Sequence, residues 1–440
     1  MLINEIFQIL IQIIFIFFIF SCTSYIYNNK NILKLNITFP LDKITINLLI
    51  LINLFLLFSI FNINQSLIIM VYILIFLLSF INKEFRNNLL EIYLNNTFLI
   101  IFILMFILSI DIAHELNLAW DAKFVYYFKT LVFFQNEKFD TLRNFPAADY
   151  PHLGAYIWSF FWKYPWSEYE YMGRISYLFI YLISIYSLIN CLDHKNYIKN
   201  IFLILVVFST YNYSLFSGYQ DNLIFSLLTL LASFYYRFIN SSNFKQKINY
   251  LYIILSIINI LFWIKAESFI YSLVIFALIY YLNFNFIKKQ KSVLLIFSAI
   301  LIFKIFVYYY YNLGSTETFK GVYGYSIDRI LNLGIIGHLN NIKIVTYYIF
   351  FNIGRNPIFL ISIFCIFIIF KNQSDNSILK FIILFIIFNI IFIYLSLVLK
   401  VEYVEYIGRN SIGRLLHQSS GFYLLSMIVY LNKIKISKKK

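Results

Sequence analysis

Apolar runs long enough to cross about 30 Å of hydrocarbon recur along the whole of this chain, and few other features constrain a fold so tightly. Backbone carried through lipid must satisfy its own N–H and C=O groups, so each such run is expected to be a helix. Composition agrees: 61% of residues are hydrophobic and 12% charged, with a mean hydropathy of +0.78. The fold expected is all-α, a polytopic transmembrane helical bundle with a large outer loop carrying amphipathic interfacial helices. Ile, Phe, Asn, Lys and Tyr outweigh Ala, Gly and Pro in the way AT-rich coding produces, so a single Asn or Lys carries little functional weight.

About thirteen spans are expected, centred on 5–26, 45–62, 66–82, 97–111, 173–190, 200–217, 221–237, 249–264, 268–284, 292–311, 356–370, 378–399 and 415–432. An odd count puts the two ends of the chain on opposite sides. One alternating set of loops holds Lys30, Lys34, Lys43, Lys83, Arg86, Lys195, Lys199, Arg237, Lys245, Lys247, Lys288, Lys289, Lys291, Lys371, Lys380 and the lysine-rich tail from Lys433. Its only acids are Asp42, Glu84, Glu91, Asp193 and Asp375. Positive-inside topology makes that set cytoplasmic, with the N-terminus outside and the C-terminus inside. The net charge of +15 then reflects topology, and nucleic acid is not expected as a partner. Cys22, Cys191 and Cys365 lie far apart in or beside apolar segments, with neither metal-ligand nor disulfide spacing. Ile19-Phe20-Ser21-Cys22 loosely resembles a lipobox, but Met1 to Gln8 holds no Lys or Arg, so a retained first helix is expected.

This topology puts the polar stretch 112–172, the segment 312–355 and the turns at Asp221, Lys265 to Glu267 and Arg409 to Arg414 on the outer face. The cytoplasmic loops are short and lysine-rich, and no Walker or Rossmann glycine pattern occurs anywhere. Chemistry outside the cell without a nucleotide needs an activated substrate delivered in the lipid.

Candidate residues concentrate on that face. Asp111, Glu115 and Asp121 open the long loop, and the i, i+4 spacing puts Asp111 and Glu115 on one helix face. A partly desolvated carboxylate there has a raised pKa and can take a proton from an attacking hydroxyl; solvated acids at a helix exit are the plainer account. Trp120 to Lys129 patterns as an amphipathic surface helix, and the aromatic run Tyr156 to Trp166 is expected to re-enter the interface. His152 is a candidate proton shuttle or metal ligand, against the ordinary role of a hydrogen-bonded loop histidine. Asp221 begins a span, where a carboxylate also serves as a helix cap. Lys265 and Glu267 lie between two apolar spans, where charge is costly and points to function unless the lysine simply snorkels. Arg409 and Arg414 precede the last span and suit a phosphate, or a snorkelling interfacial role.

The order of these points resembles the polytopic GT-C glycosyltransferases, the superfamily of protein O-mannosyltransferases and bacterial lipid A aminoarabinose transferases. Trp120-Asp121-Ala122 followed by Tyr126-Tyr127 looks like the acidic motif of their first outer loop, and Tyr150-Pro151-His152-Leu153 like the proline segment, with His152 in place of a second proline. Gly218-Tyr219-Gln220-Asp221-Asn222-Leu223 is similar to a later aspartate motif, and Lys265-Ala266-Glu267 to a lysine turn in which Ser268 replaces glycine. Ser411-Ile412-Gly413-Arg414-Leu415-Leu416 looks like the arginine motif before the last helix. The resemblance covers 111–430 and implies two parts, N-terminal transmembrane helices over 1–96 and a catalytic module over 97–440. No Trp-Trp-Asp-type motif of the oligosaccharyltransferases occurs.

The resemblance implies transfer of a sugar from a polyprenyl-phosphate donor to an acceptor hydroxyl on a lipid, glycan (lipopolysaccharide among them) or protein. Asp121 would be the base, with Glu115 and Asp111 beside it. Lys265 and Arg414 would face the phosphate, and Glu267, Asp221, His152 and Arg409 would complete the substrate site. No cofactor is implied with certainty; a divalent ion shared by Asp121 and Asp221 stays open. A lipid-linked glycan flippase or polymerase and a secondary transporter are the rival readings, although no repeated, Gly/Pro-interrupted halves of the transporter kind are evident.

Overall fold

The computed structural model describes residues 3–22, 40–81, 86–87, 95–114, 116–145, 147–314, 327–372, 377–399 and 404–437. Among them the chain is helical throughout its regular structure, with no strand. The main helices are α1 (Ile3–Cys22), α2 (Pro40–Ile60), α3 (Gln65–Ile81), α4 (Asn96–His114), α5 (Tyr127–Phe134), α6 (Leu153–Lys163), α7 (Tyr171–Ile189) and α8 (Asn196–Thr210). They continue as α9 (Asp221–Asn240), α10 (Phe244–Phe262), α11 (Ala266–Leu282), α12 (Lys291–Tyr310), α13 (Ile327–Arg355), α14 (Pro357–Asn372), α15 (Ser377–Val398) and α16 (Val404–Ser437). Among the described residues, seven helices are long and apolar enough to cross a membrane, or eight if one bent pair counts as a single span. That is consistent with a membrane protein, and a helix stands at each expected span position.

The centre of the bundle is α7, buried at every position from Tyr171 to Ile189, with α9 and α16 packed together beside it. Lipid tails are as apolar as Leu, so association here depends on close fit and polar contacts. Small residues provide the fit: a Cβ on Gly421 of α16 would lie 2.3 Å from Thr229 Oγ1 and 2.8 Å from Thr229 Cα on α9. Polar side chains add links, as where Tyr271 of α11 donates to Asn389 Oδ1 of α15 (2.8 Å), which in turn donates to Ser419 Oγ of α16 (2.8 Å).

Three features add detail to the sequence-based expectation. Segment 312–355 contains α13, which meets α14 at 89°; Pro357 lacks an amide hydrogen and restricts its predecessor, so the helix breaks there. Trp166 stays exposed, but the aromatic run before it is covered by protein. It forms α6, buried from Leu153 to Trp162 and packed against α2, α5 and α7. The surface helix expected from Trp120 starts as a π-turn (Ala122–Tyr126) and continues as α5. Trp120, Phe124 and Phe128 are exposed on it as expected, but Lys129 is buried and donates to the carbonyls of Tyr150 and Ala148.

Candidate active site

Five charged side chains from four distant parts of the chain meet where α9 and α11 begin and α10 ends. Lys265 Nζ lies 3.3 Å from both carboxylate oxygens of Asp221, 3.3 Å from Glu267 Oε1 and 3.9 Å from Asp121 Oδ2. Arg414 Nη1 lies 3.0 Å from Asp121 Oδ2 and 3.5 Å from Asp221 Oδ2, with its guanidinium 4.1 Å from the Tyr219 ring centroid. Gln418, one turn beyond Arg414 on α16, donates to Asp221 Oδ1. Lys265 and Asp221 are buried, whereas the side chains of Asp121, Glu267 and Arg414 keep 24%, 26% and 20% exposure. The cluster therefore has an ionic floor and an accessible upper edge.

Local structure explains the convergence. Asp221 is the first residue of α9, next to the helix N-terminus that favours a carboxylate, although its side chain makes no capping bond. The loop before it turns at Gly218 with φ +90°, where a Cβ would stand 2.6 Å from Ala122 Cβ and 2.8 Å from the Trp158 ring. Only glycine fits that approach, and it brings Ser217 O within 2.9 Å of Ala119 N, tying the Asp121 segment to the Asp221 loop. Arg174, buried and paired with Glu170 (3.0 Å), donates to Phe216 O (3.1 Å) and holds the same loop from below.

The Lys265 turn is fastened on three sides. Leu153 N donates to Trp263 O (3.0 Å), Lys304 donates to Phe262 O, and Lys265 N donates to Ser268 Oγ (3.1 Å). Ser268 thus gives the turn a side-chain anchor where a glycine would give none. Burial opposes the Lys265 charge, but Asp221, Glu267 and Asp121 outweigh it and hold the ammonium above its ordinary pKa.

Of the nine residues singled out from the sequence, Asp121, Asp221, Lys265, Glu267 and Arg414 come together. Asp111 stands apart at the end of α4, accepting a hydrogen bond from Tyr211 Oη (2.7 Å). Glu115 lies outside the described residues. His152 is a core residue: its Nε2 pairs with Ser59 Oγ (2.8 Å), and the rings of Phe139, Trp263 and Phe133 surround it. Burial first, then Lys129 and Lys304, push its pKa well below the usual histidine range, so it is neutral. Arg409 is exposed on α16, and five residues of helix place it about 140° around the axis from Arg414. Tyr219, quoted only as part of the aspartate motif, is the ring beside Arg414, and Gln418 was missed; a polar residue one turn after Arg414 was the available signal for it.

The arrangement separates two roles. Lys265 spends its donors on the three carboxylates and acts as their counter-ion. Arg414 has five N–H groups and uses Nη1 for the acids and Nη2 only for a long contact to Ser411 Oγ (3.5 Å), so its Nε edge has no protein partner among the described residues. Asp121 likewise uses Oδ2 and leaves Oδ1 without one. Asp121 and Asp221 do share cations, but ones the chain supplies. Among the described residues no group of three His, Cys, Asp or Glu side chains is placed to hold a metal. Comparison with protein-family models, curated proteins and solved structures finds no match.

Proposed function

We propose that this chain is an integral membrane glycosyltransferase that moves a sugar from a polyprenyl-phosphate donor to an acceptor hydroxyl. The observation that carries the reading is the convergence of Asp121, Asp221, Lys265, Glu267 and Arg414, placed nearly 300 residues apart in the chain, into one partly open cluster. In this reading about thirteen spans cross the plasma membrane, and lysine-rich loops set the cluster on the periplasmic or extracellular face.

The chemistry follows from the free edges. Asp121 Oδ1 takes the proton of the acceptor hydroxyl, and the acceptor oxygen attacks the anomeric carbon. The bond from that carbon to the phosphate oxygen breaks, and polyprenyl phosphate leaves with the electron pair. The unpaired Arg414 edge meets the charge growing on the departing phosphate. Lys265 and Asp221 keep Arg414 and Asp121 in place. One base and one displacement give inversion at the sugar. The acceptor is a lipid, a cell-envelope glycan or a protein.

The test compares surface glycans in a deletion strain carrying wild type, Asp121→Asn or no copy, with membrane levels checked by blot. The expected result is an Asp121→Asn chain that accumulates normally and leaves a glycan one sugar short, as the deletion does. A variant that restores the full glycan removes Asp121 from catalysis. A deletion that alters no glycan sinks the transferase reading and returns transport to the front.

A further inference from the structure

The rim of the Arg414 guanidinium is held mainly through one atom. Nη1 lies 3.0 Å from Asp121 Oδ2 and 3.5 Å from Asp221 Oδ2, while Nη2 reaches only Ser411 Oγ, at 3.5 Å. Contacts gathered on one nitrogen act as a pivot. They fix where Nη1 sits and leave the plane of the group free to turn about it. The Nε edge, without a protein partner among the described residues, turns with that plane. The contact that restrains the plane comes from its face: the guanidinium carbon stands over the Tyr219 ring, 4.1 Å from the centroid. A flat cation laid on an aromatic face is attracted by the ring quadrupole and keeps its rim open for other partners.

The turn that carries this ring has little freedom. On one side Tyr219 follows Gly218, whose φ of +90° and approach to Ala122 and the Trp158 ring leave no room for a side chain. On the other, two residues on, stands Asp221, buried in the cluster at the start of α9. One short turn thus presents a carboxylate to the rim of Arg414 and a ring to its face. Resting on the transferase reading, we propose that Tyr219 is a positioning residue, whose ring face orients Arg414 so that its open Nε edge meets the donor phosphate. The aromatic face carries this role, and the phenol oxygen does not.

The probe is polyprenyl phosphate, the lipid the proposed reaction releases, with the matching polyprenol as a control that lacks only the phosphate. Binding to the full-length chain in detergent is read from the rise in unfolding midpoint with lipid concentration. Glycan completion is read in the deletion strain at matched membrane levels. Tyr219→Leu should bind polyprenyl phosphate about fivefold or more weakly than wild type, and Tyr219→Phe within about twofold of it. Polyprenol binding should not change, and glycan completion should slow in Tyr219→Leu alone. A ring that merely packs in its turn would lower the lipid-free midpoint of Tyr219→Leu and leave its phosphate affinity intact, which overturns the proposal. An equal loss in Tyr219→Phe also overturns it, by assigning the effect to the hydroxyl. In both cases wild type still prefers the phosphate to the polyprenol, and the transferase reading stands. A wild type without that preference removes the polyprenyl-phosphate donor, and the role of Tyr219 with it. Tyr219→Met carries the same comparison if the leucine variant does not accumulate.

Discussion

Lys265→Met tests whether the cluster is one ionic unit. Lys265 and Asp221 are about as buried as charges become, at 5% and 1% side-chain exposure, and they meet at 3.3 Å through both carboxylate oxygens. Breaking a pair this deep by removing one partner leaves an uncompensated charge and costs about 3–5 kcal/mol. Here Asp221 would keep Arg414 at 3.5 Å and the Gln418 amide, which places the expected loss near the lower end, about 3 kcal/mol. Asp221→Asn is milder, because Lys265 retains Glu267 at 3.3 Å and Asp121 at 3.9 Å; about 1–3 kcal/mol is expected. In Lys265→Met/Asp221→Asn neither charge is stranded, and the double variant should lose about 2 kcal/mol less than the two singles together. Denaturant titration of the purified chain in mixed micelles, followed by the fluorescence of its five tryptophans, measures all four corners. Additivity within about 0.5 kcal/mol would refute the coupling and, with it, the assignment of Lys265 as counter-ion to Asp221.

The remaining predictions concern the packing that carries the site. Burial lowers the Lys129 pKa from 10.5 to about 7, only partly countered by Asp149. Between those values the unfolded chain holds a proton the folded chain has released, so raising the pH from 7 toward 10.5 stabilises the fold, while below 7 the full burial penalty is present. Lys129→Met should flatten that rise in unfolding midpoint; equal slopes for the two proteins would show that Lys129 does not titrate in this window. Gly421→Val would press a side chain to 2.3 Å from Thr229 Oγ1 and 2.8 Å from Thr229 Cα. It should cost about 1–3 kcal/mol or more in the same micelle titration. Because α16 carries Arg414 and α9 carries Asp221, it should also lower transfer, and a variant as stable and active as wild type would contradict the close crossing.

Legibility in the sequence followed energetic cost. Lys265 and Glu267 interrupt apolar sequence, and Asp121, Asp221 and Arg414 stand in turns or loops beside apolar spans, where an ionised side chain is expensive enough to favour a partner, so all five could be singled out without knowing who pairs with whom. His152 and Arg409 satisfied the same criterion of type and place, but one bonds Ser59 in the core and the other points away from Arg414. Spacing along a helix fixes the angle between Arg409 and Arg414, but not which of the two faces the other charged residues. Aromatic residues were harder still. The composition of α6, from Tyr156 to Trp162, suits a membrane interface and a protein core equally, and only its neighbours α2, α5 and α7 decide for the core.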